Sequence, residues 1–140
     1  MKIAIIRQKF VNYGGAEQFV LAYTTHLANM GHEVNIFANQ WTPSEHPNIQ
    51  IHPIRAIKWN SFLRTLSFAW FALKAVNSKT FDLVQSHERT WRQDLYRAGD
   101  GCHREWLERR ASYLPFFKKF LFRFNLFHQL ILKLEQIIFE

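Results

Sequence analysis

One cysteine, Cys102, stands in 140 residues, which excludes an internal disulfide framework and any zinc site built on several thiolates. The chain suits a reducing compartment, and the cytoplasm is the expected location. Long apolar runs are also missing: no window approaches the roughly 18 uncharged apolar residues of a membrane span. Only Ile3-Ala4-Ile5-Ile6 separates Lys2 from Arg7, too little for a secretory leader. Acids are scarce over two long stretches, none lying between Glu45 and Asp82 or between Glu108 and Glu135. The full Gly-x-Gly-x-x-Gly fingerprint and the Gly-x-Ser-x-Gly elbow are both absent. The 7 histidines are scattered without ligand spacing beside carboxylates, so no metal is expected.

Apolar residues are plentiful, at 48% with 14 Phe and 5 Trp. That composition excludes a disordered chain and exceeds what one small core normally uses, so part of it is expected to face a partner or a membrane. The length fits one domain rather than two. The net charge of +7 draws nucleic acid, anionic lipid and phosphorylated small molecules alike, and selects none of them.

The pattern along the chain is that of alternating strands and helices. A continuous apolar run at residues 3–6 reads as a strand buried on both faces of a parallel sheet. A polar segment then leads to Gly14-Gly15 and a helix carrying Val20, Tyr23, Leu27 and Met30 on one face. Gly31 ends that helix in the C′ position, and a second strand follows at 33–38. A loop at 41–48 precedes a third strand with Ile49, Ile51 and Ile54, interrupted near Pro53. Residues 60–78 form a helix, 82–86 a fourth strand and 95–98 a short fifth. Gly99-Asp100-Gly101 is a turn, residues 102–110 a helix, and Pro115 opens a last helix running unbroken over 116–139. The fold class expected is α/β, a Rossmann-like parallel sheet with flanking helices.

Ligands of such sheets lie outside the C-terminal strand ends, so the loops around Gly14-Gly15 and His87 are expected to share one cleft. At Gly14-Gly15 bare backbone can approach a phosphate or sugar beside a helix N-terminus, or can simply make a tight turn. Glu17 in the first helical turn complements the dipole in the plainer reading. The run 86–110 is dense in ionisable and aromatic groups. In it His87 can hydrogen-bond a sugar hydroxyl or shuttle a proton, or can be a structural histidine satisfied by neighbouring backbone. Glu88 adjoins it, Arg89, Arg92 and Arg97 can clamp phosphate or carboxylate, and Asp100 and His103 follow as near neighbours.

Two basic aromatic stretches suggest an anionic membrane surface as partner. The first includes Arg55, Lys58, Trp59 and Arg64, and the second Lys118, Lys119 and Arg123 among phenylalanines. A core-facing helix with snorkelling cations is the plainer alternative for the first stretch, and burial against a partner or a missing domain for the second. Nucleic acid is not an expected partner, because the aromatics have helical rather than sheet-platform spacing.

With these residues in view, the chain resembles the N-terminal half of family 4 glycosyltransferases of the two-domain GT-B fold, above all bacterial enzymes of lipopolysaccharide and cell-surface glycan assembly. The resemblance rests on Gly14-Gly15-Ala16-Glu17, on Met30-Gly31-His32-Glu33-Val34, and more specifically on the segment from Asp94 to Leu107 around Gly99-Asp100-Gly101. It implies that residues 1–140 are a single acceptor-side domain, incomplete at its C-terminus and without the nucleotide-sugar domain. The family's function would be retaining transfer of a sugar from a nucleotide diphosphate donor to a lipopolysaccharide or other glycan acceptor, with the nucleotide sugar as co-substrate and no further cofactor. By the same likeness Gly14, Gly15 and Glu17 fall on the donor phosphate side, and His87 and Asp100 take catalytic places. Glu88, Arg89, Arg92, Arg97 and His103 fall on the acceptor side. The implied location is the inner face of the cytoplasmic membrane, and the 140 residues alone are expected to be inactive. A non-enzymatic membrane-surface or partner-binding domain is the second reading.

Overall fold

The structure is a computed structural model that describes residues 1–99, 101–115, 117–118 and 125–139. Its centre is a five-stranded, wholly parallel sheet, built from β1 (Lys2–Ile6), β3 (Glu33–Ala38), β5 (Ile49–Pro53), β6 (Leu83–Ser86) and β7 (Leu95–Tyr96). The spatial order is β5-β3-β1-β6-β7. The chain therefore winds outward from β1 through β3 to β5, then crosses to the other side of β1 to lay down β6 and β7. The crevice where that direction reverses lies between the ends of β1 and β6, where Ile6 is in register with Ser86. This is the switch point at which such sheets bind ligands.

Strand β1 shows why the apolar run is continuous. Ile3 and Ile5 face one cluster with Val20, Ala28, Val34, Ile36 and Ile49 under α1 (Gly15–Asn29), while Ala4 and Ile6 face another with Phe37, Phe68, Ala72, Val76 and Val84 under α2 (Ser61–Asn77). Alternate side chains point to opposite faces, and both faces are covered, so every position must be apolar. Gly31, at φ 86°, follows α1 with its N–H on the Ala28 carbonyl and the His32 N–H on that of Leu27. These two bonds are the Schellman arrangement that stops the helix where the sequence places its end.

The structure departs from the sequence expectation at three places. The segments read as loops before Gly14 and after Ala38 pair with each other as a small parallel sheet, β2 (Lys9–Phe10) with β4 (Gln40–Trp41). Two-residue strands carry no periodicity, so no pattern announces them. Pro53 ends β5 rather than interrupting it, because the Ile54 N–H turns to the Ala38 carbonyl at 2.7 Å. The last helix is also not continuous from 116 to 139: Asn125 is non-helical, and its side chain accepts the Phe127 N–H at 2.9 Å as a cap for α4 (Leu126–Phe139). An asparagine inside an apolar helical spacing reads as a tolerated polar residue, yet its preference for capping decides the start. Helix α3 (His103–Ser112) packs against α4, which in turn packs on α2. Among the described residues no helix is long and apolar enough to cross a membrane.

Candidate functional site

The candidate site begins at Arg7, the first polar residue after β1. Its backbone N–H is held by the Phe37 carbonyl at 3.1 Å, and its guanidinium lies among carboxylates. Nη2 is 3.4 Å from Glu17 Oε1, and Nη1 is 3.5 Å from both Glu88 Oε1 and the His87 carbonyl. Glu88 Oε1 also accepts the Gln8 N–H at 3.0 Å. One cation thus ties together the first turn of α1 and the loop after β6, at the point where the sheet reverses direction. The side chains of Arg7, Glu17 and Glu88 are only 11%, 19% and 25% exposed, so these interactions are less screened than surface pairs.

Gly14 makes this arrangement feasible. Its φ of 93° belongs to glycine, and a Cβ there would stand 2.5 Å from Glu17 Oε2. The absent side chain leaves the space that the Glu17 carboxylate fills on its way to Arg7. Gly15, the first residue of α1, has nothing within 4 Å of a Cβ position. Of the two glycines, Gly14 alone is required by geometry.

His87 completes the candidate site. It is 3% exposed, and its backbone N–H bonds to the Ile6 carbonyl at 3.0 Å. Its ring Nε2 is 3.0 Å from the Gln85 side-chain nitrogen, and Gln85 Oε1 accepts the Tyr23 hydroxyl at 2.8 Å. Tyr23 stacks on Phe19 with centroids 6.0 Å apart, and the Arg97 guanidinium lies 4.0 Å over the Phe19 ring. Burial, reinforced by the charges of Arg7 and Arg97, pushes the His87 imidazole down to about 4. The ring is therefore neutral at pH 7, the form that accepts a proton or a hydrogen bond.

The family can now be read off. The sequence profile of Glycosyltransferase Family 4 matches residues 13–132. The chain belongs to that family. The fold agrees with the crystal structure of WaaG, a glycosyltransferase involved in lipopolysaccharide biosynthesis, at a TM-score of 0.82 and 18% sequence identity. The alignment covers 99% of this chain and 35% of that one, so the chain spans about a third of WaaG. No curated protein sequence matches it.

The family-derived site residues fall into three groups. Gly14, Gly15, Glu17, His87, Glu88 and Arg97 gather at or beside the cleft around Arg7. Glu17 does so as the partner of Arg7 rather than as a phosphate ligand, since a carboxylate repels phosphate.

Arg89 and His103 belong to an adjoining cluster. Arg89 Nε and Nη2 reach Glu135 Oε1 at 3.0 and 2.9 Å, and Nη2 also donates to the Gly101 carbonyl. Glu135, 5% exposed on α4, accepts the N–H groups of His103 and Arg104 at 2.7 and 3.3 Å. A carboxylate from another helix therefore caps α3, which has no side-chain cap of its own. The His103 ring lies 3.0 Å from His128 Nδ1 and stacks on Trp106, lining a shallow pocket with Arg89 and Cys102. Burial and the neighbouring His128 push the His103 imidazole below its ordinary range.

Arg92 leaves the set altogether. After His87 the chain descends beside β6, as the Asp94 N–H on the Val84 carbonyl shows, before β7 climbs again. Arg92 thus bonds Asn77 at the far end of α2. Asp100, Lys119 and Arg123 lie outside the described residues. Arg55, Lys58, Arg64 and Lys118 are exposed, and so is Trp59, at 87%. Among the described residues no group of three metal-ligating side chains converges.

Sequence reasoning missed Arg7, Gln85 and Glu135. Arg7 had a usable signal as the first charge beyond a buried strand. The Gln85–Tyr23 and Glu135–His103 contacts had none, because those partners are more than 30 positions away, across packing that periodicity does not encode.

Proposed function

We propose that these residues form the acceptor side of a retaining glycosyltransferase that moves a sugar from a nucleotide diphosphate donor to a lipopolysaccharide or other cell-surface glycan acceptor. The observation that carries the reading is the switch-point cleft of a family member: two carboxylates around one guanidinium, with a neutral imidazole beside them. Sugar hydroxyls both donate and accept, and this set offers acceptors in Glu17 and Glu88 and donors in Arg7 and His87. The donor diphosphate would approach the exposed backbone at Gly14-Gly15 and the α1 N-terminus, with Arg97 nearby. Asp100 takes a catalytic place in this reading. The nucleotide-sugar domain lies in the part of a WaaG-like chain that these residues do not span, so the 140 residues alone do not turn over a donor.

In this reading the chain works at an anionic membrane surface on the cytoplasmic side. The support is the exposed set of Arg55, Ile57, Lys58, Trp59 and Arg64, with Tyr113, Phe117 and Lys118 as a second set. The same exposed residues favour the alternative of a non-enzymatic membrane-binding domain.

Saturation-transfer NMR of the 140-residue protein with a lipopolysaccharide-core oligosaccharide and with uridine diphosphate glucose separates the two. The oligosaccharide should bind saturably and lose affinity in Glu88→Gln. Flotation with anionic vesicles and no saturable sugar binding would leave the membrane-binding alternative in place, and turnover of the nucleotide sugar would overturn the half-site reading.

A further inference from the structure

Among the described residues, two buried side-chain polar atoms have no hydrogen-bond partner: Arg7 Nε and His87 Nδ1. They belong to neighbouring strand ends, since β1 and β6 are in register up to Ile6 and Ser86, and Arg7 Nη1 touches the His87 carbonyl. Buried polar groups are paired in the great majority of cases. Two unpaired ones on residues that touch at a switch point are atoms for a ligand to satisfy.

The chemistry of this pair depends on where the His87 proton sits. Arg7 Nε is always a donor. His87 Nδ1 is a donor only if the other ring nitrogen is bare, and the polar chain behind the ring decides that. The Gln85 amide stands with Oε1 toward the Tyr23 hydroxyl, 2.8 Å away, and with its nitrogen toward the His87 ring. That nitrogen is the atom 3.0 Å from His87 Nε2. An amide nitrogen can only donate, so Nε2 accepts and the proton of the neutral ring is on Nδ1.

We infer that Gln85, oriented by Tyr23, is a positioning residue that holds the His87 proton on Nδ1, so that Arg7 and His87 together present two N–H donors to ligand oxygens. This rests on the sugar-transfer reading only for the identity of the ligand, a polyhydroxyl compound. A hydroxyl or ring oxygen suits the site better than a phosphate, because Glu17 and Glu88 already balance the Arg7 charge. Other charged or titratable groups facing the ring are Arg97, from beyond β7, and Tyr23 of α1. Gln85 touches no ligand in this arrangement and acts through His87.

The test is the tautomer itself, read from the ring 15N shifts of His87 in 15N-histidine-labelled protein at pH 7, with far-UV circular dichroism as the folding control. The wild type should show a protonated Nδ1 and a bare Nε2. Gln85→Glu places an oxygen where the amide nitrogen stood, and should move the proton to Nε2 or charge the ring. The milder Tyr23→Phe leaves the amide free to turn and should give a mixture. Adding the core oligosaccharide should shift Nδ1 while leaving Nε2 in place. An Nε2-protonated wild type, or a tautomer indifferent to both substitutions in folded protein, overturns the role of Gln85. A correct tautomer with no response to the oligosaccharide would keep that role and count against the sugar-transfer reading.

Discussion

Glu135 should be one of the costliest residues to remove, although nothing about its place in the chain marks it. Its carboxylate is nearly enclosed, pairs with an Arg89 guanidinium that is 14% exposed, and accepts the first two N–H groups of α3. Breaking a buried ion pair from one side costs about 3–5 kcal/mol, because the surviving charge stays buried, and losing a helix cap costs about 1 kcal/mol. The two losses overlap at Glu135, so Glu135→Ala should destabilise by about 4 kcal/mol. For a chain of this length that is a fall of about 12 °C in the melting midpoint. Glu135→Gln keeps an acceptor for the helix N–H groups and should cost less, about 2–3 kcal/mol. The decisive measurement is a double-mutant cycle by urea denaturation with Glu135→Gln, Arg89→Met and both together. If the charges are coupled, the double variant should lose about 2 kcal/mol less than the sum of the single losses. Additivity within about 0.5 kcal/mol would refute the argument that α3 is held to α4 through this pair. Amide exchange at His103 and Arg104 gives an independent reading, since both should exchange faster in Glu135→Gln.

Two further outcomes follow from the cleft. His87 has its folded-state proton affinity depressed to about 4, so the unfolded chain binds the extra proton as pH falls from about 6.5 to about 4, and stability falls with it. The loss between pH 7 and 4.5 is about 2 kcal/mol once screening of the flanking arginines is allowed for. Denaturant titrations should show that much less pH dependence in His87→Gln, and an unchanged slope would remove His87 as its source. Gly14→Ala should cost about 1–3 kcal/mol, from a backbone conformation open to glycine and a clash with Glu17, whereas Gly15→Ala should be neutral or slightly stabilising. Equal effects at the two positions in thermal melts would contradict that division.

The covalent sequence determined the parts whose causes are local. The run at β1 had to be a strand covered on both faces, Gly31 had to end α1, and alternating elements had to make a parallel sheet with a cleft at its C-terminal edge. The motif around Gly14-Gly15 and Gly99-Asp100-Gly101 carried the family likeness, and the profile match over 13–132 supports it. What tertiary structure alone decided is the company each side chain keeps. Arg92 and His87 are five positions apart, yet the descent of the chain beside β6 sends them to opposite ends of the sheet. Glu17 and Glu88 are far apart in the chain, yet the switch point brings both to Arg7. Gln85 in a buried strand reads as an interruption of its apolar pattern until Tyr23 and His87 are seen on either side of it. Periodicity reports which face of an element is buried. It says nothing of which polar atom on that face meets which other, because that is set by distances across the fold.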